Sequence, residues 1–138
     1  MPRRYAPERG DVVWLQFDPQ AGHEQAGRRP AVTLSPRLYN EKVGLGLFCP
    51  VTSHQKGYPF EVRIPDGLAV SGVALCDQVK SLDWQARQAR FVCRLPDATI
   101  AEIVGKAQTL FLDSDELERL KAKLAEMLPR LRPPATRA

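Results

Sequence analysis

Hydrophobic residues in the first two thirds of the chain form short runs that are separated by polar turn residues. The runs cover residues 11–17, 31–35, 45–51, 60–64, 73–79 and 91–95, and the segments between them are rich in Gly, Pro, Asn and Asp. Short strands with turn signals between them are typical of a small barrel or sandwich. The pattern therefore predicts a mainly β architecture.

The pattern changes near Pro96, where hydrophobic positions begin to recur at helical spacing. Pro96 and Asp97 suit the start of a helix over residues 97–112, which we expect to pack on the β domain. Its apolar positions are Ile100, Ile103, Val104, Ala107, Leu110 and Phe111. The predicted β domain with this helix spans residues 1–112.

A second amphipathic segment follows in residues 113–138. Asp113 and Glu116 resemble a capping box at its start, and its leucines fall along one face. We expect Pro129 to cut this helix short and the chain from Pro133 onward to be a loose tail. The pattern assigns this C-terminal extension no function.

Composition is that of an ordinary globular domain. The chain has 138 residues, of which 43% are hydrophobic and 26% charged, and a formal net charge of +4. A chain of this length can bury one hydrophobic core without disulfides or structural metal ions. The mild basic excess favours an anionic partner. Because no run approaches the roughly 18 apolar residues of a membrane span and the N-terminus lacks an apolar signal region, we expect a cytoplasmic protein that does not bind membranes.

The three cysteines are widely separated and none belongs to a CxxC-type pair. Cys49, Cys76 and Cys93 each stand among apolar neighbours. We interpret them as small buried hydrophobic residues in a reduced compartment, without a metal or disulfide role.

The strongest chemical signal is a polar, glycine-punctuated loop at residues 22–30. It carries Glu24, Arg28 and Arg29 between two predicted strands. Arginine grips phosphate through paired hydrogen bonds, and Pro30 biases the backbone of Arg29 towards extended geometry. An anionic substrate is the functional interpretation, and a surface ion pair with Glu24 is the alternative.

Two further segments carry polar side chains after strand ends. Residues 52–59 cluster hydroxyls, His54 and an aromatic ring, which fits either a site or a plain polar hairpin. His23 and His54 could form an acid/base pair, although two solvated loop histidines explain them as well. Residues 77–81 offer donors and acceptors that could read the bases of an unpaired strand.

In their order along the chain, these pieces resemble the MazF/PemK family of toxins from bacterial toxin–antitoxin systems. The resemblance runs from about residue 4 to residue 112. It is carried by segments 4–5, 10–11, 17–19, 24–27, 29–30, 34–36, 39–40, 56–62, 72–75, 77–81 and 86–87, together with Pro7, Trp14, Gly22, Thr52 and Trp84. No single segment is decisive, but the ordered set is specific.

The resemblance implies a small SH3-like β-barrel with appended helices that forms a homodimer. It also implies a sequence-specific endoribonuclease that needs no metal or other cofactor and cleaves single-stranded mRNA. In such enzymes the 2′-hydroxyl of the RNA attacks the adjacent phosphorus and leaves a 2′,3′-cyclic phosphate and a 5′-hydroxyl. A cognate antitoxin of the MazE type is the implied protein partner.

Site residues follow from the same resemblance. Arg29 and Thr52 match the family's catalytic arginine and threonine, and Glu24 matches a loop carboxylate that takes the 2′-hydroxyl proton or contacts a base. The implied RNA-binding positions are Asp18, Gln25, Arg28, Asn40, Lys56, Gln78 and Lys80.

Two other function classes remain open at this stage. A DNA gyrase poison of the CcdB type would share the barrel and the dimer, although the pattern of Arg29, Pro30 and Thr52 belongs to the ribonuclease branch. A catalytically silent barrel that only binds RNA or a protein is the other alternative.

Overall fold

The computed structural model describes residues 4–17 and 27–131. Its strands are β1 (Asp11–Gln16), β2 (Arg28–Thr33), β3 (Gly46–Thr52), β4 (Glu61–Arg63), β5 (Val73–Leu75), β6 (Lys80–Leu82) and β7 (Arg90–Arg94). Its helices are α1 (Arg37–Val43), α2 (Asp97–Gln108) and α3 (Ser114–Leu131), with a 3₁₀ turn at Thr109–Phe111. The chain divides into two compact units, of which the first ends at Ala107 and the second begins at Gln108.

The mainly β architecture is confirmed, with two differences in detail. The run at 73–79 is a strand only over Val73–Leu75, because a turn closed by the Gln78 amide on the Leu75 carbonyl (3.1 Å) follows it, and β6 begins beyond the run at Lys80. Helix α1 was not predicted, since seven residues are too few to establish a helical period. It ends at Gly44, whose φ of +82° is the left-handed conformation that glycine adopts at low cost.

The strands form an antiparallel sheet in which β3 pairs with three other strands. The order is β4-β5-β3-β2-β1-β7, and β6 also pairs with β3. Strand β3 therefore contacts β2 along one edge, and β6 followed by β5 along the other. This arrangement brings the chain after β3 close to the turn after β5.

Successive side chains along a strand point to opposite faces of the sheet, and both faces are buried. Neighbouring residues such as Val12 and Val13, or Phe48 and Cys49, belong to two different hydrophobic clusters. Helix α2 covers one face through Ile100, Ile103 and Ala107, as the sequence predicts. The other cluster holds Ala6, Val13, Leu15, Phe17, Ala31, Phe48, Leu82 and Trp84.

The second unit contains α3, and this helix begins with the predicted capping box. The Glu116 amide donates to the Asp113 carboxylate (2.7 Å), and the Asp113 amide donates to the Glu116 carboxylate (3.2 Å). The prediction that Pro129 cuts the helix short is wrong, since α3 continues to Leu131. A proline removes the bond from its own nitrogen but leaves the following residues able to keep helical torsions. No described helix combines the length and apolar character needed to cross a membrane.

Candidate functional site

A polar groove of about 750 Å³ opens at the end of β3. One wall is the chain that follows Thr52, and the other is the turn that follows β5. The lining residues are Thr52, His54, Lys56, Gly57, Tyr58, Pro59, Glu61, Leu75, Asp77 and Gln78. The groove thus brings together three of the predicted site residues, namely Thr52, Lys56 and Gln78.

Thr52 is held firmly at the base of this groove. It is the last residue of β3, pairs with Val73 and is only 6% exposed. Its Oγ accepts a hydrogen bond from the His54 amide (3.2 Å). Gly72 has a φ of +113°, and a Cβ there would collide with the Thr52 carbonyl, so the absent side chain permits this close approach.

The loop after Thr52 is organised by one carboxylate. Glu61 accepts the backbone amides of Lys56 (3.1 and 3.2 Å) and Gly57 (3.0 Å), and its own amide donates to the Tyr58 carbonyl (3.0 Å). Because three backbone groups are satisfied at one residue, the loop closes onto β4 and presents the exposed Lys56 side chain at the groove.

Tyr58 and Asp77 interact across the groove. Hydrogen bonding to the Asp77 carboxylate and its negative charge raise the pKa of Tyr58. The phenol therefore remains a neutral donor near neutral pH. Its ring is half exposed and packs at a tilt against Phe60, with 5.9 Å between ring centroids.

Arg29 reaches the same end of the sheet from β2. It lies opposite Leu15 of β1 and is half-buried. The register between β2 and β3 ends at the pair of Ala31 and Pro50. Arg29 lies two residues beyond that pair on β2, and Thr52 lies two residues beyond it on β3, so both stand at the same end of the ladder.

Arg28 points into different surroundings from Arg29, as alternation along a strand requires. Its guanidinium donates to the Gln88 carbonyl (2.8 Å) and the Arg87 carbonyl (3.4 Å). It lines a second groove with Gln16 and the turn at residues 83–88. The structure therefore does not bring Arg28 into the groove at Thr52.

Asn40 requires a correction. Its side chain has no exposed surface, Oδ1 accepts from the Ser35 hydroxyl (2.6 Å), and Nδ2 donates to the carbonyls of Pro7 (2.8 Å) and Ser35 (3.0 Å). The Trp84 indole also donates to the Asn40 carbonyl (3.1 Å). An amide whose bonds are complete inside the fold cannot contact RNA, so its role here is structural.

The remaining predicted residues lie elsewhere. Lys80 begins β6 opposite Phe48 and is half-buried outside the lining of the groove at Thr52. Asp18, Glu24 and Gln25, which were predicted as RNA-binding or catalytic, lie outside the described residues.

The sequence singled out the segments that contain Tyr58 (52–59) and Asp77 (77–81) but assigned neither residue a role, and it did not single out Glu61 beyond the family resemblance. Tyr58 and Glu61 stand in the segment 56–62 that carries the family resemblance, and Asp77 in the segment 77–81, so a signal was present without an assignment. In the described ranges, 4–17 and 27–131, no group of three or more His, Cys, Asp or Glu is placed to hold a metal ion.

Comparison with known proteins gives a consistent result. The family described as "PemK-like, MazF-like toxin of type II toxin-antitoxin system" matches residues 8–111. The endoribonuclease toxin MazF of Escherichia coli K12 is 56% identical over 89 residues, which are 64% of this chain and 79% of that protein. Endoribonuclease PemK of Escherichia coli is 33% identical over 112 residues, covering 78% of this chain and 84% of the relative.

Solved structures agree with these similarities. A crystal structure of MazF from Deinococcus radiodurans matches with a TM-score of 0.76 and 54% identity, covering 78% of this chain and 98% of that one. A MazE-MazF structure from the same organism matches with a TM-score of 0.71 and 54% identity, covering 78% and 97%.

Proposed function

Because the chain belongs to the PemK-like, MazF-like family of type II toxins, we propose that it is an endoribonuclease that cleaves single-stranded mRNA at short sequence motifs without a metal ion. The observation that supports this most is the position of Thr52 at the base of a polar groove, with Arg29 at the same end of the β2–β3 ladder. Relatives that are named endoribonucleases are 33 to 56% identical to this chain.

The proposed reaction uses a nucleophile that belongs to the substrate. The 2′-hydroxyl attacks the adjacent phosphorus, the P–O5′ bond breaks, and the products carry a 2′,3′-cyclic phosphate and a 5′-hydroxyl. Negative charge builds on the non-bridging phosphate oxygens, which favours a preorganised guanidinium such as that of Arg29. The Thr52 hydroxyl hydrogen-bonds the phosphate and helps to hold the in-line geometry.

Glu24 completes the proposed catalytic group, either as the base for the 2′-hydroxyl proton or as a contact to a base edge. Asp18 and Gln25, from the same segment, are proposed to bind RNA beside it. Lys56 and Gln78 contact phosphates and splayed bases in the groove, where both are found. Arg28 and Lys80 would meet RNA that runs beyond the groove.

The proposed assembly is a homodimer of SH3-like barrels that is inhibited by a cognate MazE-type antitoxin in the cytoplasm. The similarity to a toxin from a MazE-MazF structure supports the antitoxin. Exposed apolar side chains at Leu38, Tyr39, Val43, Leu45 and Leu47 come from one stretch of chain and support a self-association surface.

One assay tests the proposal and the role of Arg29. Purified protein, Arg29→Ala and Arg28→Ala are incubated with a long single-stranded RNA in excess EDTA, and the fragment ends are analysed. We expect cyclic phosphate and 5′-hydroxyl ends, a loss of about 10²- to 10³-fold in rate for Arg29→Ala, and a loss below about tenfold for its neighbour. Uncut RNA with the unmodified protein would refute the ribonuclease, and cleavage unaffected by Arg29→Ala would remove this side chain from the reaction.

A further inference from the structure

Two of the three cysteines meet across neighbouring strands. The register between β3 and β5 pairs Val51 with Ala74, and β5 ends at Leu75. If that register is extended by two residues, Cys76 falls opposite Cys49. Both side chains have no exposed surface, the Cys76 thiol donates to the Ala74 carbonyl (3.7 Å), and each thiol shifts the pKa of the other. The third cysteine, Cys93, is in β7 and partly exposed.

The backbone hydrogen bonds identify the kind of pair that Cys49 and Cys76 form. The Cys76 amide donates to Phe60 (2.9 Å), so its backbone polar groups face away from β3. On β3, the Leu34 amide donates to Leu47 (2.8 Å), and alternation directs the polar groups of Cys49 towards β2 as well. The two cysteines are therefore a non-hydrogen-bonded pair, for which Cα atoms lie about 4.5 Å apart.

That separation falls inside the range of about 4.4 to 6.8 Å between Cα atoms that disulfides span. We propose that Cys49 and Cys76 are a modification site at which a small peroxide forms a reversible intramolecular disulfide. Hydrogen peroxide is little larger than water, and Cys76 lies in the surface turn between Leu75 and Gln78. Local opening of that turn gives the oxidant access without unfolding the sheet.

The surroundings of the two thiols indicate which sulfur attacks the peroxide. Interaction with the Cys49 thiol lowers the pKa of Cys76 despite its burial, and the nearby Lys106 ammonium contributes in the same direction. The same interaction, together with burial, raises the pKa of Cys49. Cys76 reacts first because it lies in the surface turn, whereas Cys49 lies within β3, and because the thiolate is the reactive form.

The chemistry balances in two steps. The Cys76 thiolate attacks one peroxide oxygen, so that an S–O bond forms, the O–O bond breaks, and the departing hydroxide takes a proton to become water. The Cys49 sulfur then loses its proton and attacks the sulfenic sulfur of Cys76, forming the S–S bond and releasing a second water. Peroxide is reduced, the two thiols are oxidised, and an added dithiol reverses the reaction.

The disulfide would act on the candidate site, and this consequence rests on the proposed function. Cys49 precedes Thr52 on the same strand, and Cys76 directly precedes Asp77 on the opposite wall of the groove. The S–S bond of about 2.05 Å is shorter than a contact between two thiols, so its formation draws the turn at Cys76 towards β3. A misplacement of about 1 Å can cost up to about 100-fold in rate, so we expect RNA cleavage to fall at least about tenfold and to recover on reduction.

The test reads the bond and the activity separately. The full-length protein is treated with hydrogen peroxide, quenched in acid, alkylated in denaturant and mapped by mass spectrometry without reduction. We expect a peptide pair linked through Cys49 and Cys76, while Cys93 is alkylated. Cys93→Ala should retain the linked pair, and Cys76→Ala should lose it.

Each outcome decides one claim. Alkylation of both Cys49 and Cys76 after treatment, or a link through Cys93, would overturn the modification site. A linked pair with unchanged RNA cleavage would overturn its effect on the groove. A linked pair in a protein that cuts no RNA even when reduced would refute the proposed ribonuclease and leave the modification site standing.

Discussion

The groove at Thr52 and the buried cluster of Asn40, Ser35 and Pro7 contain similar polar groups but differ in their exposure to solvent. Asn40 has every side-chain bond closed by Ser35 and Pro7 and has no exposed surface. Lys56 and Gln78 line an open groove whose loop is closed by backbone bonds to Glu61. The sequence suggested RNA contacts in both places.

The difference shows that polarity alone does not mark a binding residue. A buried amide whose donors and acceptors are satisfied contributes to stability, and exposing it would break those bonds. In the groove, backbone groups and Glu61 satisfy each other, which leaves side chains such as that of Lys56 available to a ligand. We therefore expect substitutions in the Asn40 cluster to affect folding and those in the groove to affect RNA.

The largest effect on stability is expected for Asn40→Asp. The shape is retained, but the group that donates to the carbonyls of Pro7 and Ser35 becomes an acceptor, and a charge is buried. We expect a loss of about 3 kcal/mol or more in unfolding free energy, measured by urea denaturation. Gln55→Glu makes the same chemical change at an exposed position and should stay within about 0.5 kcal/mol. Equal stability of the two variants would contradict the structural role of Asn40.

A smaller effect on folding, coupled to activity, is expected for Gly72→Ala. The added Cβ meets the Thr52 carbonyl in a backbone with positive φ, which should cost about 1 to 3 kcal/mol and displace Thr52. Gly67→Ala is the control, since its φ is also positive (+91°) but a Cβ there meets nothing within 4 Å.

Urea denaturation and RNA cleavage by the folded fraction would be measured for both variants. Gly67→Ala should reproduce the backbone strain alone and keep its cleavage rate. If both variants cleave RNA equally, the contact between Gly72 and Thr52 does not position the site.

The smallest effect is expected for Lys56→Met, which keeps the aliphatic stem and removes the charge. If Lys56 contacts one phosphate of single-stranded RNA, the slope of log affinity against log salt should become shallower by about 0.7. Fluorescence anisotropy with an uncleavable 2′-deoxy-substituted RNA measures this slope. Lys123→Met, at an exposed position of α3, should leave it unchanged, and identical slopes for all three proteins would remove Lys56 from the RNA path.

Much of the architecture and part of the site could be predicted from the sequence. The strands and the capping box of α3 follow from local pattern, because they depend on residues close along the chain. The end of β5 at Leu75, the separate strand β6 and the persistence of α3 beyond Pro129 depend on partners or torsions that local pattern does not specify. The adjacent Arg28 and Arg29 look equivalent in sequence, and only the register of β2 sends them to different surroundings.

The position of Gln78 beside Thr52 and Lys56 is another feature that local sequence pattern does not specify. Lys56 follows Thr52 along the chain, so their proximity is local, whereas Gln78 arrives through the pairing of β5 with β3. The family resemblance named these positions without supplying that geometry. Glu61 can bond to the loop only because residues 56–61 fold back on themselves, and the presence of a glutamate in the sequence does not predict that conformation.

The most direct test of the account is the rate of RNA cleavage by Thr52→Ser compared with that by Thr52→Val. Serine retains the hydroxyl, and valine retains the shape without it. We predict that the serine variant stays within about tenfold of the unmodified protein and that the valine variant loses about 100-fold, with both folded by circular dichroism. Cleavage by Thr52→Val at the unmodified rate would contradict the assignment of this groove as the place where RNA is cut.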